Sequence, residues 1–254
     1  MKKILTLLAV CAMLCACSSD WGALETVNYP ISGEYHALDI SNAFQVTMSE
    51  TVSEPVAIVT IGEKAHQYVR VEVINGTLYI GIKKWKFTSN EKATVILPVA
   101  DIDDLRVSGA SSFNGTMDEE KVKMKVSGAS RFDGAVHCEN ADIELSGASH
   151  FEGAMYCENA DIGLSGASRA TINGYCMEEL DIDISGASEL DGVRFPCTTI
   201  VGKVSGASEA DVTCCESLKV EVSGASKIIY GTPSDECDPN VDCECSGGSS
   251  VHSR

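Results

Sequence analysis

Apolar and polar residues alternate along most of the chain, and from residue 105 onward the alternation is locked to a repeated phrase. Ser-Gly-Ala-Ser begins at Ser108, Ser127, Ser146, Ser165, Ser185, Ser205 and Ser223, and a Ser-Gly-Gly-Ser variant begins at Ser246. The successive steps are 19, 19, 19, 20, 20, 18 and 23 residues. One position before each phrase stand Val107, Val126, Leu145, Leu164, Ile184, Val204, Val222 and Cys245. Three before stand Leu105, Met124, Ile143, Ile162, Ile182, Gly202, Val220 and Cys243. Five before, after an initial Asp103, stand Val122, Ala141, Ala160, Leu180, Ile200, Leu218 and Val241. Two before, the column is polar: Arg106, Lys125, Glu144, Asp183, Lys203, Glu221 and Glu244. This period of two predicts a strand with one buried face. Five after the first Ser, Phe113, Phe132, Phe151, Ala170, Leu190, Ala210 and Ile228 predict a second inward position beyond a bend. Gly115, Gly134, Gly153 and Gly192 then mark another corner.

A fixed period near twenty defines a solenoid, in which no single coil can bury its own apolar side. Each coil holds a strand, a Ser-Gly-Ala-Ser bend, a second strand and a return. No helical period intervenes, so the predicted fold class is all-β: a right-handed parallel β-helix of about 19 residues per coil. The hand follows the crossover preference of parallel strands. Gly supplies the bend with backbone freedom, and the flanking hydroxyls can bond to backbone groups or to their copies in the next coil. A nucleophile is singular, whereas these serines recur in every coil, so they read as architecture.

Before the repeat, residues 31–104 are β-rich without a strict period. Runs such as Phe44-Gln-Val-Thr-Met48, Val56-Ala-Ile-Val-Thr-Ile61 and Val69-Arg-Val-Glu-Val73 alternate, and Asn75-Gly76 is a hairpin signal. This block is expected to cover the first coil, whose edge would otherwise stand unpaired. Residues 105–235 form the tandem β-helix, and residues 236–254 a Cys-rich cap or tail.

The amino terminus carries Lys2 and Lys3, an apolar run from Ile4 to Met13, and then Leu14-Cys15-Ala16-Cys17. The run is too short for a permanent span and reads as a leader, residues 1–16. The four residues ending at Cys17 resemble a bacterial lipobox. That resemblance implies acylation of Cys17, which would anchor the mature chain in a membrane. Ser18, where some lipoproteins carry Asp, implies an outer-membrane lipoprotein facing the periplasm or the cell surface. Residues 17–30 are expected to be a tether.

The net charge of −18 disfavours nucleic acid, which selects clustered Lys and Arg. It also disfavours electrostatic docking on anionic lipid. The only basic patch beyond the leader is Lys83-Lys84-Trp85-Lys86, which reads as a solvated loop end. Five cysteines, Cys138, Cys157, Cys176, Cys197 and Cys215, fall at a similar distance after their phrase and predict a ladder. A parallel-strand spacing of about 4.8 Å exceeds the β-carbon separation a disulfide prefers, which favours a stack of buried thiols. Cys214, Cys215, Cys237, Cys243 and Cys245 are better disulfide candidates. A zinc site at Cys243 and Cys245 is disfavoured because both occupy inward columns. Asp142, Asp161 and Asp181 stack, which suits either a cation or, more simply, a solvated acidic ladder. No hydrolase, phosphate-loop or zinc-protease motif occurs, and no cofactor or metal is expected.

The lipobox, the Asn75-Gly76-Thr77-Leu78-Tyr79-Ile80 hairpin, the Leu97-Pro98 exit and the tandem Val-Ser-Gly-Ala-Ser phrase together resemble the autotransporter-adhesin head (GIN) domain family of Bacteroides-type envelope lipoproteins. The resemblance spans residues 35–230 and implies a parallel β-helix with an adhesive role and no catalytic residues. The expected function is therefore a non-enzymatic, lipid-anchored envelope protein that contacts a glycan or protein. Its candidate contact column lies four after the first Ser: Arg131, His150, Arg169, Glu189, Glu209 and Lys227, preceded by Ser112. A polysaccharide-processing β-helix enzyme is the alternative, and nearly loop-free coils weigh against it. A surface-ordering serine array would need a charge-free face, which the same column denies.

Overall fold

The computed structural model describes residues 21–83 and 93–254. Cys17, the leader, and Lys84, Trp85 and Lys86 lie outside the described residues. The first seven strands are β1 (Leu24–Pro30), β2 (Ala37–Ile40), β3 (Phe44–Met48), β4 (Val56–Gly62), β5 (Val69–Ile74), β6 (Thr77–Ile82) and β7 (Ala93–Leu97), with a short 3-10 helix at Glu63–Tyr68. The repeat begins with β8 (Asp104–Val107), β9 (Ser112–Asp118), β10 (Lys121–Val126), β11 (Arg131–His137) and β12 (Asn140–Leu145). Four long strands follow: β13 (His150–Leu164), β14 (Arg169–Ile184), β15 (Glu189–Val204) and β16 (Glu209–Val222). The last are β17 (Lys227–Gly231), β18 (Asn240–Cys245) and β19 (Ser250–Ser253).

The coils stack as a parallel β-helix. A first wall is built by the residues preceding each bend, with β10 between β8 and β12, and then the second halves of β13 to β16, and β18. A second wall is built by the residues following each bend, in the order β9, β11, the first halves of β13 to β16, β17 and β19. The register matches the repeat: Met124 pairs with Leu105 and with Ile143, and Phe132 with Phe113 and with Phe151. The predicted inward columns are buried except at Gly202 and at Val241, Cys243 and Cys245 of the last coil, and Phe113, Phe132 and Phe151 stack with ring centroids 5.9 and 4.9 Å apart and planes within 23° and 17°.

The bend explains the invariant phrase. Its glycines at 109, 128, 147, 166, 186, 206, 224 and 247 all have positive φ, which side chains other than hydrogen resist. The following Ala donates its N–H to the glycine carbonyl one coil earlier, at 2.7 Å from Ala148 to Gly128 and from Ala167 to Gly147. The last Ser of each phrase points inward and is buried. In Ser149, Ser168, Ser188 and Ser208 the hydroxyl donates to the carbonyl of the first Ser of the same phrase, at 2.8 Å in Ser149–Ser146 and 2.6 Å in Ser168–Ser165. A buried hydroxyl left unpaired costs ~1–3 kcal/mol, a cost this bond removes in the middle coils, whereas the Ser111 and Ser226 hydroxyls are buried without a partner.

The N-terminal block closes one end by reordering the chain. β2 and β3 form a coil directly against β8 and β9, while β6 and β7 form the coil beyond it. Antiparallel strands then cover this end: β5 hairpins onto β6, and β4 lies between β7 and β1. Asn75 (φ 51°) and Gly76 (φ 77°) make the two-residue hairpin turn that the sequence predicts. Two boundaries differ from expectation. Residues 24–30, expected as tether, form β1, because Leu24 through Pro30 pair with Gly62 back to Val56. The Cys-rich residues contribute a further coil, with β18 on β16 and β19 on β17. In this coil Val241 is 37% exposed and Cys245 is exposed.

Candidate functional site

The second wall carries the predicted contact column. The register places Ser112, Arg131, His150, Arg169, Glu189, Glu209 and Lys227 side by side, one per coil. Their charges are largely answered on the wall itself. Arg131 reaches Asp133 at 3.3 Å and Glu152 at 2.9 Å, Arg169 reaches Glu189 at 2.5 Å, and Lys227 reaches Glu209 at 3.1 Å. The column is thus a contiguous, half-neutralised ladder with exposed heads, contributing little to stability because each pair is solvated.

The first wall shows a second charge ladder. Lys123 reaches Asp142 at 2.9 Å, and Lys203 reaches Glu221 at 3.2 Å. Asp161 and Asp181 follow Asp142 in register, as the sequence predicts. A hollow of about 630 Å³ on this wall is lined by Asp161, Asp181, Asp183, Lys203, Lys219 and Glu221, among others. Partial burial, and then the neighbouring Asp181, Asp142, Asp183 and Glu144, push the Asp161 carboxyl above its usual range. Among the described residues no group of three or more His, Cys, Asp or Glu side chains is arranged to hold a metal ion.

At the corner opposite the serine bend stand the cysteines. Cys157, Cys176, Cys197 and Cys214 are in register, buried and free. Here the structure corrects the predicted ladder: its last rung is Cys214. An extra residue between Cys214 and Ser217 moves Cys215 out of line, since Cys197 pairs with Cys214 and Thr199 with Ser217. Cys215 instead forms a disulfide with Cys237, with Cα atoms 4.8 Å apart, tying the last coil to the one before. Contact with Cys176 together with burial pushes the Cys157 and Cys197 thiols up, and burial pushes Cys138 up to about 11. The same contacts with Cys157 and Cys197 pull Cys176 down, so the raised members stay as thiols while burial keeps reagents from the whole row.

Just outside that corner lies a feature the column reading passed over. His137, Tyr156 and Tyr175 occupy equivalent positions on successive coils. Their rings are 5.1 and 5.2 Å apart, at interplanar angles of 53° and 69°. With Asp118, Glu119, Glu120, Cys138 and Glu139 they line a shallow hollow of about 610 Å³. The signal was present, since the three rings are spaced by 19 residues in the sequence.

The sequence profile of the family described as "Putative auto-transporter adhesin, head GIN domain" matches residues 34–233. The chain belongs to this family. Among solved GIN-like folds, a "putative adhesin" from Parabacteroides merdae superposes with a TM-score of 0.79 at 19% identity, covering 92% of this chain and 97% of its own. A "putative adhesin" from Parabacteroides distasonis gives 0.75 at 20% identity, with 92% and 98% covered. A "putative lipid binding protein" from the same species gives 0.67 at 19%, with 92% and 97% covered. At these identities the likeness concerns the GIN fold. No curated protein matches the chain. Among the described residues of this GIN-family chain, no helix is long and apolar enough to cross a membrane.

Proposed function

We propose that the chain is a non-catalytic cell-envelope adhesin, anchored through acylated Cys17 in the outer membrane, whose second wall contacts a glycan or protein partner. The observation that carries this reading is the in-register column from Arg131 to Lys227, held on stacked strands with no loop inserted between them. Such a wall is rigid and pre-ordered, so contact there costs little side-chain or loop entropy. Membership of an adhesin family supports the same reading. The inward columns are filled by Phe113, Phe132, Phe151 and their neighbours, so a lipid partner of the kind named for one relative would have to lie on the outer walls.

The test is binding of the soluble residues 18–254 to glycan arrays and to host and bacterial cells. The expected result is saturable binding that weakens with salt and in Arg131→Glu/Arg169→Glu. Absence of any partner overturns the proposal. A second reading, polysaccharide processing, draws on the carboxylates Asp161, Asp181 and Asp183 around the first-wall hollow. It requires release of shortened products from some polysaccharide, and a polysaccharide panel returned intact removes it.

A further inference from the structure

We propose that the corner ladder His137–Tyr156–Tyr175, with its carboxylate rim, is a saccharide-binding site for sugars that carry no acidic group. The proposal deepens the adhesin reading and rests on it.

The first ground is where the rings stand. Outward positions on this solenoid are mostly charged or small, yet at this corner Tyr175 is 46% exposed and the adjacent Met177 is 60% exposed. Leaving such apolar area in water is unfavourable, and its clustering marks a contact surface. The second ground is how the rings meet. Inside the coil the phenylalanines lie nearly parallel, within 23° and 17°, each covering its neighbour's face. Outside, the tilts of 53° and 69° bring rings together edge against face. Rings so tilted do not all cover one another, and the faces left over are open to a ligand. The negative face of an aromatic ring attracts weakly positive hydrogens, and one side of a pyranose is a patch of C–H bonds.

The third ground is the rim. Asp118, Glu119, Glu120 and Glu139 border the hollow, and ionised carboxylates only accept hydrogen bonds. A sugar ring edge supplies hydroxyl donors in quantity, and an amino sugar supplies a cation as well. The same four charges repel uronates, sulfated glycans and other polyanions. The hollow, about 610 Å³, falls within the ~300–1,000 Å³ of small-ligand sites.

The fourth ground disfavours a peptide added as an extra strand. Corner amides are spent between coils: Glu119 donates to the His137 carbonyl at 3.1 Å, Cys138 to Tyr156 at 3.0 Å, and Glu139 to Glu120 at 3.0 Å. With these groups engaged, recognition rests on side chains and suits a ligand of hydroxyls and C–H faces. A basic, aromatic-binding protein segment is the competing occupant and is distinguished by experiment.

The experiment titrates the mature chain with neutral glucan, mannan and chitin oligosaccharides, and with uronate-containing and sulfated ones, by calorimetry. Binding of a neutral or amino sugar is expected, weakened about tenfold or more in Tyr156→Ala/Tyr175→Ala. The Tyr156→Phe/Tyr175→Phe variant keeps the rings and retains affinity, and Lys125→Ala on the first wall changes it by less than about twofold. Unchanged melting curves show that the outward tyrosines are not needed for folding. Sugar binding indifferent to loss of the tyrosines overturns this site while leaving the adhesin reading intact. So does binding confined to acidic glycans, or tyrosine-dependent binding confined to a protein. Binding to no glycan, protein or cell overturns both.

Discussion

A Cβ placed on Gly166 would stand 2.6 Å from the carbonyl oxygen of Gly147, one coil earlier. The same oxygen accepts the Ala167 N–H at 2.7 Å, so the approach that makes the hydrogen bond leaves no room for a side chain. Gly166 also has φ 77°. Gly166→Ala is therefore expected to destabilise the chain by about 2–4 kcal/mol, combining left-handed strain with displacement of a coil. Gly248→Ala is the control: a Cβ there would stand 3.7 Å from the carbonyl oxygen of Gly224, an ordinary contact, and less than about 0.5 kcal/mol is expected. Urea unfolding of the two variants checks the contrast.

The phenylalanine stack should behave as one packed column. Phe132 is fully buried between Phe113 and Phe151. Phe132→Ala is expected to cost about 3–5 kcal/mol, while Phe132→Leu costs much less because most of the volume is retained. Thermal unfolding followed by circular dichroism measures both, and equal losses would show that the column is loosely packed.

Thiol labelling should separate the two cysteine populations. In the native chain Cys245 is exposed and reacts quickly, while Cys157, Cys176, Cys197 and Cys214 are buried and react only after denaturation. Cys215 and Cys237 label only after reduction. Breaking that bridge with Cys215→Ser/Cys237→Ser removes a constraint worth roughly 2–4 kcal/mol. The effect should be local to the last coil, seen as faster hydrogen exchange in residues 240–253 with the rest unchanged.

Asp161 gives stability a pH dependence of defined sign. Its carboxyl is raised by partial burial and by neighbouring acids. A raised folded-state pKa means that the native chain holds this proton more tightly than the unfolded chain does. Its contribution is thus fully present below the unfolded value and is lost as pH rises through the folded one. Asp161→Asn should therefore stabilise at neutral pH, by less than about 1 kcal/mol for so exposed a group, and should be neutral at acidic pH. Melting temperatures across pH 3 to 8 check it, where about 3 and about 8 bracket ordinary carboxylate titration.

The coil architecture was legible because a parallel stack sets each residue on its own counterpart. A column of Val, Met, Ile and Leu at one offset, or of Phe113, Phe132 and Phe151 at another, has the same environment in each coil and so the same residue class. What escaped had no vertical copy, a shifted one, or one of varying residue type. β1 pairs with a strand far along the chain, which alternation in residues 24–30 alone cannot reveal. Cys214 displaced Cys215 from the ladder because an irregularity shifts the register by one residue, and offset counting assumes none. The aromatic corner has a regular spacing, but its rings vary between His and Tyr and end after three coils, so a search for invariant columns passes over it.

At the bends of the middle coils the boundary is chemically the same from one coil to the next: a glycine carbonyl, an alanine amide, an inward serine and the same apolar offsets. A duplicated coil would meet neighbours already suited to it and would lengthen the rod by about 4.8 Å without disturbing either end. Reach is therefore a quantity that this architecture can adjust in fixed increments, independently of whatever the outer surfaces are shaped to grip.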